Sequence, residues 1–109
     1  MDPHRGELWR VSLDRAIGSE VAKTRPCLVL TTDVVNQHRR TVVVVPLSSS
    51  PSAYPPIRVA VTCEGRSAVA VVDQIRAIAK QRLRSRIGLA RADQIQAVED
   101  ALKQILELG

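Results

Sequence analysis

Arg25 is the residue of this sequence whose type and position best suit the binding of a phosphate. It belongs to the polar segment Lys23-Thr24-Arg25-Pro26, which leads directly into the apolar run Cys27-Leu28-Val29-Leu30. A guanidinium is always charged, and its planar fork of donors matches phosphate geometry. Pro26 biases Arg25 toward an extended conformation. The same arginine could instead cap the strand end or pair with Glu20, and this segment alone leaves both interpretations open.

A hydroxyl group lies close to the end of another predicted strand. Ser48 follows the β-branched run of residues 42–45 as the chain leaves that strand. If the strands that hold Arg25 and Ser48 are neighbours, the two side chains can converge on one ligand. If they are not, Ser48 is a turn serine that bonds its own backbone.

Several common catalytic and metal-binding patterns are missing from the sequence. It has no Gly-rich phosphate loop, no GxSxG and no HExxH, and its two cysteines form no zinc-type spacing. Cys27 lies in an apolar strand and is predicted to be a small buried side chain. His4 and His38 lie in polar segments that would not place them as an acid–base pair. Asp73 interrupts an apolar segment and, if buried, needs a polar partner such as Arg76.

Period-two patterns predict a series of strands that position these residues. In residues 7–13, Trp9, Val11 and Leu13 share one parity and are expected to face the core, with Leu8 on the outer face. The unbroken run 42–45 is typical of a strand covered on both sides. Strands are predicted over 7–13, 27–31, 41–47, 57–62, 67–78 (bent near Asp73) and 87–89, with connections over 14–24, 33–40, 48–56 and a basic turn over 80–86.

Residues 91–108 form the one clear predicted helix. Its apolar face carries Ile95, Val98, Leu102 and Ile105 at three- and four-residue steps, with Leu106 and Ala101 beside them. Five to seven strands followed by a helix, without βαβ alternation, predict a mostly β fold: a small antiparallel barrel closed by the C-terminal helix.

Size and charge limit the function classes. A chain of 109 residues is expected to be one domain, spanning 1–109. The balance of 16 Lys and Arg against 11 Asp and Glu gives +5 and a pI near 10.0. This charge suits a polyanionic partner, although a basic surface without a partner has the same composition. The low cysteine count fits a reducing cytoplasm, and neither a signal peptide nor a membrane span is expected.

Five short blocks, in order along the chain, resemble the MazF/PemK toxin family. They are Arg5-Gly6-Glu7-Leu8-Trp9, Gly18-Ser19-Glu20 with residues 23–30, residues 44–49, residues 73–78 with 80–83, and Ile87-Gly88 with the terminal helix. The resemblance implies an SH3-like barrel of the CcdB/MazF type, and a toxin–antitoxin function that arrests growth. It also implies a metal-independent endoribonuclease without cofactors that cuts single-stranded RNA at short sequences.

The same resemblance implies roles for individual residues and partners. The family's catalytic arginine falls on Arg25 and its hydroxyl residue on Ser48 (or Ser49 in its place). Glu20 matches a loop position near the RNA site and is the third candidate catalytic residue. Arg91 stands where the family usually has Ser or Thr at the start of the last helix. The expected partners are single-stranded RNA, an antitoxin with an acidic C-terminal segment and a second copy of the chain in a homodimer. The residues expected to bind RNA are Lys23, Thr24, Ser49, Gln74, Arg76 and Arg82.

Two other functions fit such a fold. One is a CcdB-like gyrase poison without catalysis, although this chain ends Leu106-Glu107-Leu108-Gly109 and lacks that group's C-terminal tryptophan. The other is a small barrel that binds RNA without cutting it. The homodimer expectation also has a sequence argument, because residues 42–45 and the terminal helix offer more apolar surface than a small barrel easily buries.

Overall fold

The computed structural model describes residues 2–13, 23–49 and 52–109. Their elements follow the predicted strand-then-helix order, with one extra short helix after the second strand. The strands are β1 (Glu7–Ser12), β2 (Thr24–Val29), β3 (Thr41–Ser48), β4 (Arg58–Cys63), β5 (Arg66–Val71), β6 (Arg76–Ala79) and β7 (Leu83–Leu89), and the helices are α1 (Asp33–His38) and α2 (Ala92–Leu106).

All strand pairs in the sheet are antiparallel, in the order β4-β5-β3-β2-β1-β7. Strand β3 has two neighbours on its other edge, because Thr41–Val44 pairs with β6 while Leu47 and Ser48 pair with β5. Sharing one strand between two partners curls the sheet around its core. The predicted fold class, a mostly β antiparallel barrel with a C-terminal helix, is confirmed.

The core has two parts, one on each side of β3. Val45 belongs to the part beneath α2, and Val42 and Val44 to the part that contains Trp9 and Cys27. All three valines are at most 1% exposed, whereas Val43 is half-buried. The run 42–45 is therefore mostly covered on both faces, and most of the surface that it was expected to offer a partner copy is buried within one chain.

Helix α2 packs on the sheet through its predicted apolar face. Val98 is fully buried, and Ile95, Leu102 and Ile105 are partly buried against the same core. Leu106 does not join them, because it is 52% exposed near the helix end. Arg91 is the N-cap and provides no side-chain hydrogen bond to the helix. Instead it forms an ion pair with Asp93 at 3.0 Å, a carboxylate in the favourable first turn.

Strand β1 differs from the predicted two-faced pattern. Leu8, Trp9 and Val11 are all buried, so placing Leu8 on an outer face was wrong. The reason is that Leu8 belongs to the part of the core that also contains Val98 and Ala101 of α2, so the face of β1 opposite to Trp9 is buried as well. Trp9 donates its Nε1–H to the buried carboxylate of Glu7 at 3.0 Å. That carboxylate also accepts from the backbone N–H of His4 and from Nε of Arg86, and each bond helps fix the start of β1.

Three segments differ from their predictions: the connection over 33–40, the strand over 67–78 and the basic turn over 80–86. Residues 33–40 contain the short helix α1, which begins after the N-cap Thr32, whose hydroxyl accepts from Val35 N. Residues 67–78 form two strands, since a 3₁₀ turn over Val72–Gln74 separates β5 from β6. Asp73 is exposed in that turn, so it needs no buried partner. A second 3₁₀ turn, Lys80–Arg82, replaces the longer basic turn, and β7 is correspondingly longer than predicted.

Candidate nucleic-acid interface

Arg25 and Ser48 converge because β2 and β3 are neighbours. The register pairs Cys27 with Pro46, and continuing it by two residues places Arg25 opposite Ser48. Directly opposed residues of an antiparallel pair have Cβ atoms about 5 Å apart and share a face. Both side chains are half-buried and line the same two cavities. The sequence left open whether the strands of Arg25 and Ser48 are neighbours, and the pairing of β2 with β3 shows that they are.

The first cavity has a volume of about 440 Å³ and lies between the end of β2 and β5. Its basic side chains are Lys23, Arg25 and Arg66, and Glu64 is the one acidic residue among the described lining. Glu64 accepts a hydrogen bond from Arg10 at 2.6 Å, which offsets part of its charge. The remaining lining residues are Thr24, Pro26, Leu47, Ser48, Ser49, Ser67 and Ala68.

The second cavity, of about 270 Å³, has the more basic lining. Lys23 and Arg25 are shared with the first cavity, and Arg58 and Arg76 complete its cations. No carboxylate lies among its described lining residues. Four positively charged side chains around one small space attract an anion. The cavity therefore suits a phosphate, and the two cavities together present five cations to a polyanion. Its other lining residues are Leu13, Pro46, Leu47, Ser48, Val71 and Gln74.

The residues expected to bind RNA fall into two groups. Lys23, Thr24 and Ser49 line the first cavity, whereas Gln74 and Arg76 line the second. Arg82 lines neither of them. Its Nη1 donates to the carbonyl of Ser12 at 3.0 Å, and an RNA contact by this side chain stays a prediction. Glu20, predicted to be catalytic, lies outside the described residues.

Arg76 links the site to the end of β1. Its Nη2 donates to the carbonyl of Leu13 at 3.3 Å, while its side chain also lines the second cavity. Arg82 holds the adjacent carbonyl of Ser12, and Leu13 N donates to the carbonyl of Lys23 at 3.1 Å. These bonds fix Ser12, Leu13 and Lys23 beside the start of β2, where Arg25 lies.

Arg58 and Arg66 were missed by the sequence reasoning. Arg58 lies on the outward face of β4, because Val59 and Val61 are buried on the other face. This alternation is visible in the sequence. The pairing of β4 with β5, and of β5 with β3, then brings β4 to the site. No local pattern indicates those neighbours.

The cysteine beneath Arg25 is not a nucleophile. Cys27 is fully buried, and desolvation raises the pKa of its thiol to about 12 despite the nearby Arg76 and Arg25 charges. The thiol therefore stays protonated at neutral pH and packs as a small apolar group. Cys63 is also buried and unbridged, and burial raises its thiol pKa as well. The predicted role of Cys27 in the core is confirmed.

The described part of the chain contains neither a cluster of metal ligands nor a helix that could span a membrane. Within residues 2–13, 23–49 and 52–109, no group of three or more His, Cys, Asp or Glu side chains could hold a metal ion. Over the same ranges, neither helix has the length and apolar character that crossing a membrane requires.

Comparison with known proteins identifies the family. The family described as PemK-like, MazF-like toxins of type II toxin–antitoxin systems matches residues 4–106. The chain is 36% identical to endoribonuclease MazF9 of Mycobacterium tuberculosis, over 95% of this chain and 96% of the relative. It is 30% identical to endoribonuclease EndoA of Bacillus subtilis, over 95% and 94% of the two chains.

Solved structures agree with the sequence relatives. MazF from Deinococcus radiodurans superposes with a TM-score of 0.83 at 25% identity, covering 99% of each chain. A mycobacterial endoribonuclease, solved in complex with its cognate antitoxin, superposes with a TM-score of 0.78 at 24% identity and covers 98% of this chain and 97% of its own. The chain belongs to the PemK-like, MazF-like toxins of type II toxin–antitoxin systems.

Proposed function

We propose that this toxin is a metal-independent endoribonuclease that cuts single-stranded RNA through Arg25 and Ser48. The observation that carries the proposal is the juxtaposition of an always-charged guanidinium and a hydroxyl at one cation-lined cavity. Family membership supports it, because relatives over nearly the whole chain are named endoribonucleases.

The proposed reaction uses the ribose of the RNA as its own nucleophile. The 2′-oxygen forms a bond to the adjacent phosphorus, the bond to the 5′-oxygen breaks, and the 2′ proton is lost as the 5′-oxygen gains one. Negative charge grows on the phosphate oxygens in the transition state. Arg25 is suited to bind that charge with its donor fork, and the Ser48 hydroxyl donates a second hydrogen bond to the same phosphate.

The proton acceptor is a separate part of the proposal. Arg25 is a poor base because a guanidinium stays protonated throughout the physiological range. Glu20 or a water molecule is the candidate for removing the 2′ proton. A Glu20→Gln variant that cuts at the parental rate would leave water as the remaining candidate.

Lys23, Arg58, Arg66 and Arg76 are proposed to bind the RNA backbone rather than to act in the chemical step. They surround the two cavities, so their charges act on any phosphate in the groove. Single-stranded RNA fits such a groove better than a duplex, because unstacked bases can be splayed out and read one by one.

The same groove is proposed to bind the antitoxin. An extended acidic segment has the charge pattern of an RNA strand and would occupy the cationic lining. Cleavage would then be inhibited by occlusion, and the affinity would fall with salt. We propose that the toxin acts in the cytoplasm, where its RNA substrates and its antitoxin are made.

A two-fold homodimer completes the proposal. Because the valine run is mostly internal, the apolar residues available to a second copy are the exposed ones, including Val34, Leu89 and Leu108. Light scattering at micromolar concentration tests the dimer, and a mass of one chain would refute it.

Cleavage of a long single-stranded RNA by the purified toxin, with the cut sites mapped by primer extension, tests the activity. We expect the rate to be unchanged in EDTA. A substrate with one 2′-deoxy nucleotide at a mapped cut should resist cutting there, because the nucleophile is missing. RNA bound but left intact by the parent protein would instead favour a non-cleaving barrel, and cutting of the deoxy substrate would refute the mechanism.

A further inference from the structure

We propose that Tyr54 and Arg58 form a stacking surface for an RNA base that flanks the bound phosphate. The proposal rests on the proposed function and adds to it a residue that reads the substrate. Sequence-tolerant recognition of single strands commonly combines a cationic groove with aromatic rings on which bases stack. This chain has both components side by side.

Tyr54 is the aromatic residue that the fold leaves available. The chain has two aromatic residues, and Trp9 is buried, with 4% exposure, in the core. Tyr54 is 51% exposed. A large ring left half in solvent offers a flat apolar face at little cost in conformational entropy, since its side chain has only two rotatable angles.

The ring is held on a fixed backbone. Tyr54 N donates to the carbonyl of Arg58 at 3.0 Å, and Arg58 N donates back to the carbonyl of Tyr54 at 3.1 Å. Val72 N donates to the carbonyl of Ile57 at 2.8 Å, which ties the same turn to the 3₁₀ segment behind it. A stacking residue on a fixed turn loses little freedom when a base binds, so more of the stacking energy appears as affinity.

Arg58 connects this ring to the phosphate-binding cavity. Its guanidinium carbon lies 5.4 Å from the centroid of the Tyr54 ring, within the range of a cation–π contact. The same side chain lines the second cavity beside Arg25, Ser48 and Gln74. Its position is set by the pairing of Arg58 with Val71 across β4 and β5. One residue therefore borders both the phosphate site and the exposed ring.

The polar groups near the ring favour RNA as the occupant. Arg58 Nε is buried and has no hydrogen-bond partner among the described residues, and a small shift of the side chain would let it donate to a phosphate or base oxygen. A guanidinium plane and an aromatic ring are the two kinds of surface on which unstacked RNA bases are held. Gln74, which lines the same cavity as Arg58, carries an amide that can hydrogen-bond a base edge.

The test uses binding, so that it does not depend on the rate of the chemical step. The probe is a short single-stranded RNA around a mapped cut site, with a 2′-deoxy nucleotide at that position to prevent cleavage. We expect Tyr54→Ala to weaken binding about 5- to 150-fold, the usual loss for one stacked base. Tyr54→Phe keeps the ring and should bind within about twofold of the parent. Circular dichroism melting of each variant verifies the fold.

A second set of probes identifies the stacked base. Each nucleotide near the cut is replaced in turn by an abasic one. At one position, the abasic probe should bind the parent toxin as weakly as the intact probe binds Tyr54→Ala. The same abasic probe should bind Tyr54→Ala no more weakly than the intact probe does. Losses that add at every position, or a Tyr54→Ala variant that binds like the parent, would overturn the proposal.

The outcomes separate this inference from the proposed function. A parent toxin that cuts RNA while Tyr54→Ala binds normally refutes the stacking surface and leaves the nuclease intact. If the parent cuts no RNA, a short single-stranded RNA that it binds serves as the probe; the Tyr54 coupling on that RNA then supports the surface, and the missing cleavage refutes the nuclease. A parent that binds no single-stranded RNA refutes both. Arg58→Lys, which keeps the charge but loses the plane, should weaken binding by less than Tyr54→Ala does but by more than Tyr54→Phe does.

Discussion

Replacing Arg25 by Ala is the most direct perturbation of the proposed reaction. The substitution removes the guanidinium of a half-buried residue that lies opposite Ser48 and lines the second cavity. Because β2 is paired on both sides, with β1 and with β3, truncating one partly exposed side chain should leave the fold intact. The loss should therefore fall on catalysis.

The size of the effect follows from the environment of Arg25. A unit charge about 4 Å from a developing oxyanion contributes about 1 kcal/mol in bulk water and about 4 kcal/mol at the effective dielectric near a protein surface. Arg25 is half-buried at the mouth of an open cavity, between these limits. Loss of one transition-state donor, about 3 kcal/mol, then corresponds to a decrease of about 150-fold in kcat. KM should change less, because Lys23, Arg58 and Arg76 still hold the phosphate.

The assay is single-turnover cleavage of a short RNA that contains one mapped cut site. Arg25→Lys keeps the charge and loses the fork, so its rate should lie between those of the parent and Arg25→Ala. The matched control is Arg39→Ala, which removes an equal charge from an exposed position after α1, away from both cavities. If Arg25→Ala cuts at the parental rate, or if it raises KM alone, the assignment of Arg25 to the transition state is wrong.

The remaining predictions concern the second side chain of the site, its charge and its buried thiol. Ser48→Ala should lower kcat about 10- to 100-fold, the worth of a hydrogen bond to a charged group; a larger loss in Ser49→Ala would move the hydroxyl to that residue. The five cations of the two cavities predict a slope of about −3.5 for log K against log salt with single-stranded RNA, and Arg66→Ala should reduce its magnitude by about 0.7. In the native protein Cys27, with its pKa near 12, should resist iodoacetamide at pH 8 and react after unfolding. Because burial raises the pKa of Cys27 in the folded protein, the contribution of this thiol to the free energy of unfolding is complete below about pH 9 and is lost as the pH rises toward 12. Urea unfolding should therefore show a smaller decrease in the free energy of unfolding between pH 9 and 12 for Cys27→Ala than for the parent. An equal decrease in the two proteins would contradict the burial argument.

Elements whose signals are local could be predicted from the amino-acid sequence alone. The three- and four-residue recurrence of Ile95, Val98 and Leu102 fixes which face of α2 is buried, because a helix has one period wherever it packs. The fold class followed from the order of strands before the helix. The residue types at the site were also readable, since a guanidinium and a hydroxyl near strand ends can bind phosphate in any fold.

Tertiary structure decided which of these residues meet. Arg25 and Ser48 act together only because β2 and β3 pair in one register, and a shift of one residue would turn Ser48 to the other face. Arg58 joins them through β5, which separates its strand from β3. Leu8 is buried because it joins the same part of the core as Val98 and Ala101 of α2, far away in the sequence. Such contacts join residues far apart in sequence, and their pairing energy depends on the assembled sheet, so no local pattern carries them.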